Sequence, residues 1–89
     1  MISKSTIDLK KTLIEIKTER LVNNLIREYI KDGYHLVSYD NSQEEMGFIE
    51  VWLKHRENMN QLRIISLFSD QVIYVYKNSK LNNTIKVKI

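Results

Sequence analysis

Cysteine, proline and alanine are absent from this 89-residue chain, and glycine occurs only at positions 33 and 47. Without cysteine there is no disulfide framework, no thiolate metal site and no cysteine nucleophile. With two isolated glycines there is no glycine-rich loop to cradle a phosphate. No apolar run approaches the ~18 residues that a membrane-spanning helix needs. The first residues, Met-Ile-Ser-Lys-Ser-Thr, lack the apolar stretch of a signal peptide, so the expected setting is cytoplasmic. The two histidines, His35 and His55, show neither HExxH nor HxH spacing, and no GxSxG motif occurs. These absences leave little for catalysis to work with.

What is present is skewed. The chain holds 12 Ile, 10 Lys and 8 Asn, residues with AT-rich codons, whereas alanine, proline and glycine have GC-rich ones. That pattern points to an AT-rich genome and to a phage, plasmid or other mobile element. With 43% hydrophobic and 28% charged residues the composition is that of a globular protein. The length suits one domain over residues 1–89 that buries about 60% of its unfolded surface, so dimerisation would add useful stability. Net charge is +3, unevenly spread: +2 over residues 1–33, −3 over 34–60 and +4 over 61–89. The basic last third suits a phosphate or an acidic protein surface.

Residues 18–32 carry the clearest helical signal. Leu21, Val22, Leu25, Ile26, Tyr29 and Ile30 recur at helical spacing, Thr18 is the expected N-cap, and Gly33 the residue that stops the helix. Upstream, Leu9, Leu13 and Ile16 fall on nearly the opposite side of a straight helix. A break near residues 17–20, or a sandwich between the sheet and a second subunit, resolves this conflict. The remaining alternative is a strand over residues 12–17.

After Gly33 the period changes from 3.6 to 2. Strands are expected at residues 34–39, 47–55, 61–68, 71–77 and 84–89, separated by polar loops, including one at 78–83. The fold class is therefore α+β: an N-terminal helix, broken or not near residues 17–20, packed on an antiparallel meander of four or five strands. The hairpin at residues 62–77 is the telling part. A turn at Ser69-Asp70 pairs Leu67 with Val72 and Ile65 with Tyr74, and both faces of the resulting ribbon are apolar. Antiparallel sheets usually wet one face. The second face needs a cover.

Ile49, Val51 and Leu53 suit the face beneath the helix, which turns Phe48, Trp52 and Lys54 outward, with Arg63, Tyr74 and Tyr76 on the same side. Aromatics interleaved with cations suit a second core layer first, then a protein interface, and last a single-stranded nucleic-acid reader. Glu50, between Phe48 and Trp52, repels phosphate and favours protein. The functional expectation is a non-enzymatic protein that binds a protein partner, or itself as a homodimer, through Phe48, Trp52, Lys54, Arg63, Tyr74 and Tyr76. One alternative is a single-stranded nucleic-acid-binding module using the basic C-terminal strands. Another is a small RNase-like toxin with His35 or His55 as acid/base. In size and element order the chain resembles compact ribonuclease toxins and phage-encoded inhibitors of host defence, without motif residues of either. On the bland reading His35 is a strand residue with a satisfied side chain and His55 a solvated loop residue. No cofactor is expected. Asp40, Glu44 and Glu45 lack the ligand ladder of an EF-hand, so no metal is expected either.

Overall fold

The computed structural model describes residues 2–41 and 48–88, with side chains from residue 13 onward. One helix, α1 (Ile2–Lys31), precedes five strands: β1 (Tyr34–Asp40), β2 (Phe48–His55), β3 (Gln61–Leu67), β4 (Val72–Lys77) and β5 (Lys80–Lys86). The strands form one antiparallel sheet in the order β1-β2-β3-β4-β5, and α1 packs on one of its faces. The fold is the expected α+β arrangement with all five strands of the meander.

Helix α1 is unbroken through residues 17–20, and residues 12–17 are helical rather than extended. Thr18 is not an N-cap. It lies in mid-helix, buried, at the head of the row Thr18, Val22, Ile26 and Tyr29 that meets the sheet. Thirty helical residues span about 45 Å, whereas strands of six to eight residues span roughly 20–27 Å. The N-terminal part of α1 therefore runs on past the sheet. Residues 7–16 continue the same rod and do not fold across the sheet's other face.

The C-terminal end of α1 is fixed closely. Gly33 takes φ +102°, as expected of a residue that stops a helix, and its carbonyl accepts the Arg56 N–H at 3.0 Å. A Cβ at this position would sit 2.7 Å from His55 Nε2. His55 is not a solvated loop residue. Its Nδ1 accepts the Glu57 N–H at 3.1 Å, so Nε2 carries the proton and donates to the Asp32 carbonyl at 3.0 Å. Its ring also meets Tyr34 edge-on, at 4.8 Å between centroids. The histidine ties the end of β2 to the end of α1.

The core lies between α1 and the three central strands. Ile49, Val51 and Leu53 from β2, Leu62 and Ile64 from β3, and Ile73 and Val75 from β4 meet Val22 and Ile26. Period-2 alternation puts these side chains on one face, as read from the sequence. The β3–β4 register pairs Leu67 with Val72 and Ile65 with Tyr74, again as expected. The connection is longer than two residues, however. Phe68–Asp70 form a single 3₁₀ turn, Gln71 closes it at φ +52°, and Phe68 packs against the core instead of facing Gln71 across a ladder.

The last strand departs from expectation. Residues 78–83 are not a loop: Asn78 and Ser79 alone make the turn, at φ +50° and +69°, and β5 begins at Lys80. Two consecutive positive φ values give the turn whose twist matches a hairpin, and asparagine tolerates that region well. The Asn78 side chain adds an acceptor to the Gln61 N–H at 2.9 Å and donates to Asn60 Oδ1 at 3.1 Å. Past the strand, Val87 is buried and its N–H reaches the Gln71 carbonyl at 2.8 Å.

Candidate interaction face

The strand registers decide what the face opposite α1 carries. Across β2, β3, β4 and β5 one row reads Phe48, Leu67, Val72, Lys86. The next reads Glu50, Ile65, Tyr74, Thr84, and the third Trp52, Arg63, Tyr76, Leu81. Lys54 pairs with Gln61 at the rim. All six residues singled out from the sequence, Phe48, Trp52, Lys54, Arg63, Tyr74 and Tyr76, share this face. Lys54 is exposed and the other five are half-buried, shielded by one another. Among the described residues no element covers them.

At the centre sits a charge cluster. Arg63 donates to Glu50 Oε2 through Nε at 3.1 Å and through Nη2 at 2.5 Å. The Trp52 indole N–H donates to Glu50 Oε1 at 3.0 Å, and the guanidinium lies 5.0 Å from the Trp52 ring centroid. One carboxylate thus satisfies the two donors flanking it, and the cation covers the ring it stacks on. The Arg63 hydrogen bonds, then that from Trp52, hold the Glu50 carboxyl below its ordinary value. Glu50 is ionised at neutral pH and Arg63 is already engaged.

Beside this cluster lies a cavity of about 220 Å³ lined by Trp52, Gln61, Leu62, Arg63, Tyr76 and Ser79. It is large enough for a single side chain of a partner, with an aromatic wall on either side. Of the face residues outside the sequence-derived site, Glu50 and Leu81 change its chemistry most. Glu50 was read as a repellent charge between two aromatics, and its parity with Arg63 across β2 and β3 was the available signal. Leu81 was assigned to a loop; opposite Tyr76, it extends the aromatic row to the sheet edge.

The remaining chemistry-bearing residues are scattered. Pairing of Tyr34 with His55 and of His35 with Lys54 puts the two histidines on opposite faces of the sheet. Glu44 and Glu45 of the acidic loop lie outside the described residues. No described helix is long and apolar enough to cross a membrane. Comparison with protein-family models, with curated proteins and with solved structures finds no match.

Proposed function

We propose that this chain is a non-enzymatic interaction protein that binds a protein partner through the face bearing Phe48, Trp52, Arg63, Tyr74 and Tyr76, with Lys54 at its rim. The skewed residue usage, rich in Ile, Lys and Asn, suggests a phage or other mobile element as its setting. The observation that carries the reading is the register that gathers these side chains on the face without a helix. Aromatic residues and an arginine around a shallow cavity are the usual anchors of a protein interface. The Glu50–Arg63 pair weighs against a nucleic-acid ligand, because the most central cation is neutralised before a phosphate arrives. Separation of His35 from His55, with both His55 ring nitrogens bonded to backbone, weighs against a paired acid/base site.

Titration with single-stranded oligonucleotides at several salt concentrations separates the two binding readings. Protein recognition predicts no retardation at moderate salt and no change in Trp52 emission, the only tryptophan in the chain. Tight binding that weakens steeply with salt and is lost in Arg63→Ala would overturn the proposal.

A further inference from the structure

The cavity beside the Glu50–Arg63 pair is walled in part by unused hydrogen-bond donors. A guanidinium carries five N–H groups in a rigid plane. Glu50 accepts from Nε and Nη2 of Arg63, which lie along one edge of that plane. The other edge, made by Nη1 and the second Nη2 hydrogen, has no partner among the described residues. Arg63 lines the cavity, and its side chain is 41% exposed. Two parallel N–H groups of this kind form the fork that receives a planar carboxylate. The Gln61 amide and the Ser79 hydroxyl add further donors to the lining, and Trp52 and Tyr76 give it aromatic walls. The fork is also held in place. Glu50 bonds the guanidinium from the side, and the Trp52 ring centroid lies 5.0 Å from it. A group ordered before its ligand arrives loses less freedom on binding.

Charge at this end of the sheet has the matching sign. Apart from the Glu50–Arg63 pair, the segments that build the cavity, residues 52–63 and 76–81, hold Lys54, Arg56, Lys77 and Lys80 against Glu57 alone. Lys54 pairs with Gln61 at the rim, and Ser79 sits in the turn between Lys77 and Lys80. Because the central pair is neutral, these cations balance the charge of an incoming anion. Asp40 shares the face but pairs with Glu50 from β1, on the side of β2 away from the cavity. The volume, about 220 Å³, suits a single small group. Elsewhere the rows of β2 to β5 on this face carry only one more cation, Lys86, at the far corner. One fixed anion site on a largely apolar and aromatic face suits an acidic side chain within a protein segment. A nucleic acid brings a row of phosphates, which needs a row of cations.

We infer that this cavity takes an aspartate or glutamate side chain of the partner protein, held by the Nη1–Nη2 edge of Arg63 between Trp52 and Tyr76; the assignment rests on the protein-binding reading of this face. Glu50 steadies Arg63 and leaves that edge open to the ligand.

Nuclear magnetic resonance titration tests this with two probes, N-acetylglutamate N-methylamide and its glutamine counterpart. Both are blocked at their ends, so they differ in the side-chain carboxylate alone. The acid should shift the Trp52 indole, Arg63 Nε and Ser79 amide signals saturably, with a Kd in the millimolar range expected of so small a ligand. The glutamine probe should bind at least about tenfold more weakly, because it accepts at one oxygen and carries no charge. Arg63→Lys keeps the charge but loses the fork, and should weaken the acid by a similar factor. Comparison of the two probes needs only the wild-type chain, so it decides the matter even if that variant does not fold. Absence of saturable shifts at tens of millimolar, or equal binding of acid and amide, would overturn the inference. Inorganic phosphate bound more tightly than the acid would overturn it as well. Failure here without retardation of oligonucleotides would remove the acidic anchor and leave the protein-binding face standing. Steeply salt-dependent retardation would remove both.

Discussion

Thr18 and Ser66 bring hydroxyl groups into the core, and among the described residues neither oxygen has a hydrogen-bond partner. A buried hydroxyl without a partner costs roughly 1–3 kcal/mol. Thr18→Val keeps the shape and removes the polar atom, so denaturant unfolding should show a gain of about 1 kcal/mol. A loss of similar size would mean that the hydroxyl is bonded. Gly33 predicts the opposite sign. Alanine there meets both a positive φ and the His55 ring, so Gly33→Ala should cost more than about 1 kcal/mol, measured the same way. Glu50 gives a pH dependence. Its carboxyl is held low by Arg63 and Trp52 in the folded state, so its contribution is present above the unfolded carboxylate pKa and fades as pH falls through the lowered one. The stability gap between wild type and Glu50→Gln should accordingly be open at neutral pH and close in acid. A gap constant with pH would show that the pair does not depend on charge.

At the scale of elements, the sequence was most legible where burial is one-sided. The rows Ile49-Val51-Leu53 and Leu62-Ile64 alternate cleanly because one face meets α1, and their assignment to the core holds. The face opposite was legible for the same reason, since parity that puts one set inward puts Trp52, Arg63 and Tyr74 outward. β5 was not legible. With Ile85 as its only half-buried residue it lacks an apolar stripe, and Lys80–Asn83 read as loop because an edge strand is wet on both sides. Its existence depends on the Asn78-Ser79 turn. Asn78→Val should destabilise the protein by about 1–2 kcal/mol in thermal or denaturant unfolding, since a β-branched residue resists positive φ and cannot replace the bonds to Gln61 and Asn60. No measurable loss would indicate that the turn contributes little. The continuity of α1 was obscured by its two opposed apolar stripes. A stripe facing away from the sheet reads as a break when only one partner is assumed, and Ile16 shows that the outward stripe is bare in the single chain.

For the whole molecule, α1 covers one side of the sheet and leaves the other to Phe48, Trp52, Lys54, Arg63, Tyr74 and Tyr76. The central claim is that this open side is the working surface and that its ligand is a protein. Site-specific photocrosslinking tests it most directly, with a photoreactive side chain placed at Tyr74 on the open face and, separately, at Arg27, exposed on α1. In extract of the native host the account predicts a discrete protein adduct from position 74, none from position 27, and loss of the first when Trp52→Ala is added. Adducts from position 27 alone, or an adduct at position 74 to nucleic acid instead of protein, would contradict it.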